Sequence, residues 1–423
     1  MKTKVLLTAP LLTLSGYGEQ GRFAFRALMS RQDKFDVYIK PLNWGQCGWL
    51  HEDNEERRMI DEILKKTIMH EANGGTFDVS VQCTIPNEWS KIAPINIGYT
   101  AGIETTRVAP EWLQASNENV DRIIVVSDHS KHVFESTKYE MRHPDTNSLH
   151  GELGLQVPID SVNYPVKKFE SVPEVANYKF GTKFNILCVA QMGPRKNLEA
   201  TIGCFIDEFK DDADVGLVVK TFAKNNSLID REETSVLLKR LLSNAPEHKC
   251  KVHLLHGALS DAEMNSLYTN RSIKGLITLT HGEGFGLPIF EAAYNGVPVI
   301  APAWSGHMDF LMAPSSVRKK GERRQTPHML QVDYTLGPIP QEVVWEGVIT
   351  ESSMWCNPDL SSARKQMRNL KEDYKRHKTR ATKLKKHIHN NFTEQKMYGE
   401  FVSSVEAAIG TNSSVPENVQ VFT

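Results

Sequence analysis

Apolar runs of strand length alternate with polar, amphipathic stretches along most of this chain, and they do so in two separate series. The first series is KVLLTAP from Lys4, FDVYIKP from Phe35, FDVSVQ from Phe77, APINIGYT from Ala93 and RIIVVS from Arg122, with helices predicted around Arg22 to Arg31 and Glu55 to His70. After the passage NYPVKKFESVPEVANYKFGTK the alternation restarts, with FNILCVA from Phe184, VGLVVKTF from Val215, KVHLLHG from Lys251, KGLITLT from Lys274 and GVPVIAP from Gly296. Strands that are apolar on both faces and separated by helices belong in doubly wound parallel sheets. The expected fold class is α/β, with two Rossmann-like domains at 1–168 and 169–392 and a connector near residues 165 to 183. The polar segment 412–423 reads as a loose tail.

Two domains is also what 423 residues suggest. With 40% hydrophobic and 24% charged residues, the chain is neither disordered nor collagenous nor a small disulfide scaffold. Its net charge of −1 names no partner. The charge is nevertheless uneven: from Arg318 onward there are 17 basic and 12 acidic residues, so the first 317 residues carry a net −6. Six cysteines (Cys47, Cys83, Cys188, Cys204, Cys250, Cys356) are scattered without a C-x-x-C, which reads as buried thiols in a reducing compartment. Lys2 and Lys4 before VLLTAPLLTL suggest a signal peptide, but Pro10 interrupts the run and no small-x-small cleavage site follows, so a first buried strand is expected. No segment reaches the ~18 apolar residues of a membrane span. The expectation is a soluble cytoplasmic protein with no membrane insertion and no obligate protein partner.

Gly16, Gly18 and Gly21 spell a literal G-x-G-x-x-G. In a dinucleotide fingerprint the first glycine directly follows the strand, whereas here LLTLS intervenes, so a NAD-dependent dehydrogenase is a minor alternative. A glycine loop approaching a phosphate or sugar, or a plain turn before a helix, both remain open. Asp212-Ala213-Asp214 is a D-x-D, but it sits in FKDDADVGLVV, where acidic residues lead into a strand. It reads as a solvated turn, and no metal is assigned.

The segment HGEGFGLPIFEAAYNGVPVIAPAWSG differs in kind. Glu283 and Glu291 are eight apart, with G-F-G-L-P between them opening a helix. Gly284 and Gly286 let amides approach a ligand, the helix N-terminus favours negative charge, and Pro288 suits a first turn. Two carboxylates around an anion-binding turn call for a partner with both hydroxyls and phosphate. A nucleotide sugar has both.

E-G-F-G-L-P-x-x-E followed by A-x-x-x-G-V-P-V-I resembles the Glu-x7-Glu motif of retaining nucleotide-sugar glycosyltransferases of the GT-B fold, family 4 type. FNILCVAQMGPRKNLEATI, VDRIIVVSDHSKHVFE and SGYGEQGRFAFRAL are similar to other parts of that family, so the resemblance spans most of the chain. It implies two Rossmann-like domains facing a central cleft, an N-terminal acceptor domain and a C-terminal donor domain, with a helix at about 393–411 packing back on the first. It also implies that Glu291 bonds the donor ribose, that Glu283 lies by the transferred sugar, and that the amides of Phe285, Gly286 and Leu287 receive sugar and diphosphate. Lys196 and Arg195 would neutralise the leaving diphosphate, and Gly16 and Gly18 would close on it from the other domain. Two departures stand out. Gln191 occupies the place of an early arginine, and a histidine at the end of an N-terminal-domain strand is missing from GYTAGIETTR, where Glu104 is the nearest ionisable group.

The implied co-substrate is a nucleotide-diphosphate sugar, with no further cofactor and no protein nucleophile. SGYGEQGR, PLNWGQCGW, IETTRVAPEWL and AWSGHMDFL also resemble glycosyltransferases of tailed bacteriophages, which implies a hydroxymethylated pyrimidine in double-stranded DNA as acceptor, inside the host cytoplasm. Lipid or surface polysaccharide is the alternative, and a non-catalytic nucleic-acid-binding module is another. Arg318 to Arg324 contains Lys319, Lys320, Arg323 and Arg324, and Arg364 to Lys386 carries 11 basic and two acidic residues. These runs read either as solvated faces or as a phosphate footprint.

Overall fold

The computed structural model describes residues 2–45, 47–50, 52–143, 146–169, 178–319 and 322–412, with backbone alone at 316–319, 322, 323, 411 and 412. The chain divides into two units: Met1–Pro165 with Val344–Glu351 and Glu394–Thr423, and Val166–Val343 with Ser352–Thr393. The first boundary lies just ahead of the position that composition indicated.

In the first unit the strands are β1 (Thr3–Ala9), β2 (Phe35–Pro41), β3 (Val79–Cys83), β4 (Ile95–Thr100), β5 (Arg122–Val125), β6 (Tyr139–Arg142), β7 (Leu149–Leu153) and β8 (Ile159–Ser161). Six form a parallel sheet in the order β2-β1-β3-β4-β5-β8, while β6 and β7 make a separate antiparallel hairpin. Every residue of β3 and β4 is buried, including the polar Ser80, Gln82, Asn96 and Thr100, so both faces of these central strands are covered although apolar and polar or small residues alternate along them. The helices are α1 (Gly16–Met29), α2 (Glu55–Ala72), α3 (Pro110–Asn119) and α4 (Asp128–Ser136). Side chains of Ser15, Asn54 and Ser127 cap α1, α2 and α4 by accepting amide hydrogen bonds. Helix α1 begins six residues before the predicted start, because the Ser15 cap overrides the low helix propensity of the glycines that follow.

The second unit contains β9 (Phe184–Val189), β10 (Val215–Lys220), β11 (Lys251–Leu255), β12 (Ile273–Ile277), β13 (Val299–Pro302), β14 (Met312–Lys319), β15 (Glu322–Pro327), β16 (Leu330–Val332), β17 (Tyr334–Pro338) and β18 (Met354–Pro358). Its main sheet is parallel in the order β11-β10-β9-β12-β13-β16. The winding reverses between β9 and β12, and the carboxyl ends of such a pair are where open α/β sheets place ligands. The helices are α5 (Leu198–Phe209), α6 (Leu228–Ser243), α7 (Asp261–Thr269), α8 (Leu287–Tyr294), α9 (Met308–Leu311), α10 (Leu360–Glu372) and α11 (Tyr374–Asn391). Ile186, Leu217, Val219, Phe205, Ile277 and Met367 meet in the core between sheet and helices.

Helix α12 (Glu394–Asn412) completes the first unit. Its Phe401 packs edge-on against Phe23 of α1 and Tyr99 of β4. Val344–Glu351 belongs there too: Val348 joins the cluster around Trp112, and the Gly347 carbonyl accepts from Asn87 at 2.7 Å. The expected polar tail lies outside the described residues.

Candidate functional site

Arg195 and Lys196 sit on a single 3-10 turn, Pro194–Lys196, just past the carboxyl end of β9. Asn197 follows in the left-handed conformation (φ 51°) and starts α5. The loop after β12 lies alongside, tied on by Asn197 Nδ2 donating to the Leu279 carbonyl (3.1 Å), His281 N to the Arg195 carbonyl (2.8 Å) and Arg195 Nη1 to the Gly282 carbonyl (2.6 Å). The sheet reversal thus brings residues almost ninety positions apart onto one shelf.

Glu283 is the charge at the centre of that shelf. It is buried, with Lys196 Nζ at 2.7 Å from both of its oxygens and Arg195 Nη1 at 3.3 Å. Burial alone would raise its pKa, but Lys196 and Arg195 outweigh it and hold the carboxyl at about 2. The cluster keeps one net positive charge. A relay of neutral groups sets its backbone: Glu283 N donates to Ser305 Oγ (2.9 Å), which lies 3.5 Å from His307 Nδ1, and His307 Nε2 bonds the Pro302 carbonyl (2.8 Å). The Nε2–H must point at that carbonyl, so Nδ1 accepts from the Ser305 hydroxyl. Burial lowers the His307 pKa and favours this neutral form. Ser305 holds φ 80°, a strained value for a residue with a side chain.

Gly286 adopts φ 91° and leads into α8, with Pro288 in the first turn. The amides of Gly286 and Leu287 belong to that first turn, where no intrahelical acceptor exists. Glu291 lies one turn further on, half-buried, and its Oε2 accepts from the Tyr268 hydroxyl of α7 at 2.9 Å. Glu283, Glu291, Phe285, Gly286, Leu287, Arg195 and Lys196 therefore all belong to the second unit's shelf. Sequence reading did not single out Tyr268, Ser305 or His307 individually. It also passed over His281, whose ring stacks on Trp355 of β18 (3.9 Å between centroids, 9° between planes) and whose Nδ1 bonds the Cys356 carbonyl (2.5 Å). The AWSGH string was the only signal for Ser305 and His307, and nothing in sequence ties Trp355 to His281.

The remaining expected residues belong to other elements, Gly16, Gly18 and Glu104 to the first unit. Gly16 and Gly18 are the first and third residues of α1, and the preceding turn is pinned by Arg22 Nη1 donating to the Leu11 and Thr13 carbonyls. A Cβ on Gly18 would stand 2.1 Å from the Thr13 carbonyl oxygen, so this glycine serves close packing, while Gly16 has open space. Glu104 is half-buried in the loop after β4. Asp212 accepts from Lys371, and Asp214 pairs with Lys183 at 3.2 Å, so the D-x-D is occupied by lysines.

The basic stretches fall on regular structure. Arg318, Lys319, Arg323 and Arg324 lie on the strands of the β14–β15 hairpin, whose pairing shifts register between Pro314 and Arg318. Lys320, and the side chains of Lys319 and Arg323, lie outside the described residues; Arg324 is exposed. The run from Arg364 to Lys386 is broken at Asp373 into α10 and α11. Much of its charge is committed internally: Arg364 and Arg368 pair with Glu208, Lys371 with Asp212, and Lys378 donates to the Gly296 carbonyl.

No sequence profile of a known protein family matches the chain. It is 26% identical over 198 residues to the serotype-specific mannosyltransferase WbdA of Escherichia coli, a match covering 45% of this chain and 22% of that protein. The chain thus spans about a fifth of the length of the curated relatives it matches. Among solved structures it is similar to sucrose-phosphate synthase from Thermosynechococcus elongatus (12% identity, TM-score 0.59, 97% of this chain and 100% of that one). It is equally similar to Anabaena Alr3699/HepE in complex with UDP-glucose (13% identity, TM-score 0.59, 96% and 99%). At such identities the likeness is one of architecture. The chain has the GT-B fold, with two Rossmann-like units built on parallel sheets.

Proposed function

We propose that the protein is a glycosyltransferase that moves a sugar, with retention of configuration, from a nucleotide-diphosphate sugar to an acceptor hydroxyl. The observation that carries the reading is Glu283, buried between Lys196 and Arg195 beside the first turn of α8, at the point where the second sheet reverses its winding. An anionic diphosphate suits the cations and the α8 amides. Sugar and ribose hydroxyls suit Glu283 and Glu291. The curated match is to a mannosyltransferase, and the Anabaena protein of this fold carries UDP-glucose, which supports a nucleotide-sugar donor.

The chemistry follows from where charge grows. As the bond between the anomeric carbon and the diphosphate oxygen breaks, negative charge collects on the diphosphate and positive charge on the sugar. Lys196 and Arg195 stabilise the first, preorganised by Glu283 so that little rearrangement is needed. The acceptor oxygen bonds the anomeric carbon on the face the diphosphate leaves, and its proton passes to a diphosphate oxygen. The same two cations also place Glu283 where a sugar hydroxyl can donate to it.

For the acceptor we propose a hydroxymethylated pyrimidine in DNA, on the phage-like strings and the basic C-terminal quarter. A second reading, a polysaccharide acceptor, is favoured by the match to WbdA. Incubation with UDP-, GDP- and dTDP-sugars, with release of nucleoside diphosphate as readout, tests the donor half; no release from any donor overturns it. Mass spectrometry of DNA from cells co-expressing the protein with a hydroxymethyl-base pathway tests the acceptor, and unmodified DNA alongside active donor turnover favours the polysaccharide.

A further inference from the structure

A cavity of about 540 Å³ opens between α11 and the base of the β14–β15 hairpin. Arg376, Arg380 and Lys383 line it from the helix, Thr326 and His328 from the hairpin end, and Asp373 closes one side. We propose that this cavity binds backbone phosphates of a nucleic acid. The inference deepens the DNA-acceptor reading above and rests on it.

The charge here differs from that on the rest of the basic run. Three cations of α10, Arg364, Arg368 and Lys371, are spent on Glu208 and Asp212, and Lys378 on the Gly296 carbonyl after α8. Among the described residues, the one carboxylate that meets the cavity's cations is Asp373. It also caps α11 and lies 3.9 Å from the Arg376 guanidinium. Arg380 is half-buried and donates to the Pro327 carbonyl, which fixes it against the hairpin. Burial and the neighbouring Arg376 lower its pKa, and burial with Arg380 and Lys383 nearby lowers that of His328. Concentrating like charge this way is unfavourable without an anion, and bound phosphate relieves it.

The layout suits a chain of phosphates. Arg376, Arg380 and Lys383 come up on successive turns of α11, about 5.4 Å apart along its axis. Arg324 shares the β15 face of Thr326, two residues on, and extends the basic surface past the cavity mouth. A membrane surface would need large apolar side chains beside the cations. Among the described residues, no exposed large hydrophobic side chain lies on α11 or the hairpin.

The test uses the full chain and a fluorescein-labelled, mixed-sequence DNA duplex, with anisotropy followed across a salt series. The variant Arg376→Glu/Lys383→Glu reverses two cavity charges, and Lys239→Glu/Lys249→Glu makes the same change on exposed lysines elsewhere in the second unit. Thermal melts check that both stay folded. The expected result is steep salt dependence for the wild type and an unchanged slope in the control. In the cavity variant the slope should flatten by about 0.9 for each phosphate it no longer neutralises. Equal weakening in both variants, or no duplex binding by the wild type at low salt, overturns the proposal. So does retention on phosphatidylglycerol vesicles that DNA fails to compete away. Nucleoside-diphosphate release on the same preparations reports the donor site separately: its absence with the salt pattern intact sinks the glycosyltransferase reading and supports the phosphate site.

Discussion

Lys196 Nζ stands 2.7 Å from both carboxylate oxygens of Glu283, 87 residues further along the chain. That pairing holds the ammonium in place before any donor arrives. Lys196→Ala is expected to lower kcat on the order of 10²-fold with a smaller change in KM, because the deleted interaction grows in the transition state. Glu291→Ala should instead raise KM with turnover nearly kept, because on the proposed reading it holds a ribose that does not change in the reaction. Steady-state kinetics on both variants decide it, and near-normal turnover in Lys196→Ala removes that residue from the leaving-group role.

Glu283 also predicts an acid limit to stability. Its folded pKa of about 2 lies below the ordinary 4.5, so its contribution is fully present above about pH 4.5 and is lost as pH falls toward 2. Glu283→Gln leaves two half-buried cations without their buried counter-charge and should cost about 3 kcal/mol at pH 7, the equivalent of the shift from 4.5 to about 2. The gap to wild type should close progressively between pH 4.5 and 2. Urea titrations at several pH values measure it, and a gap constant down to pH 2 would contradict the assignment.

Lys220 ends β10 almost wholly buried, its Nζ donating to the Gly257 carbonyl at 2.5 Å. Burial pulls its pKa down to about 8 from 10.5. The penalty is therefore complete below pH 8 and fades as pH rises toward 10.5. Lys220→Met should stabilise the fold by about 1–2 kcal/mol at pH 7, loss of the hydrogen bond offsetting part of the gain. The advantage should shrink above pH 8. A melting temperature at pH 7 equal to or below that of wild type would refute this.

Transfer is expected to survive a chelator. Asp212 and Asp214, the one D-x-D that could suggest a metal, are engaged by Lys371 and Lys183, while Arg195 and Lys196 supply cationic charge on the shelf. Product formation should be unchanged by EDTA. Abolition by EDTA with recovery on adding Mg²⁺ or Mn²⁺ would mean that a divalent ion carries the diphosphate.

Strands whose middles are buried announce themselves by clustered apolar residues, and β2, an edge strand with Val37, Tyr38 and Ile39 buried, is legible to its ends at Phe35 and Pro41. The G-F-G-L-P turn was legible for another local reason: Gly286 needs φ 91° and Pro288 suits a first turn, so both residue types are dictated by backbone. The Glu283–Lys196 pairing is different, because it depends on two strands lying side by side and only the resemblance hinted at it. His281 on Trp355 is further from view still. Both residues are ordinary for a loop and a strand, and only tertiary packing brings them together. The β14–β15 hairpin is not legible because its strands, MAPSSVRK and ERRQTP, carry too few apolar residues to show any alternation.

Phe401 and Val348 fill the core of a unit whose first strand begins at Thr3. Synthesis from the N-terminal side must therefore leave the faces of Phe23 and Tyr99 exposed until Phe401 has been made. The first unit is begun before the second and completed after it. Expression of residues 1–165 alone should yield an aggregation-prone product, and a nascent chain halted before Glu394 should need a chaperone that one extended past α12 can dispense with.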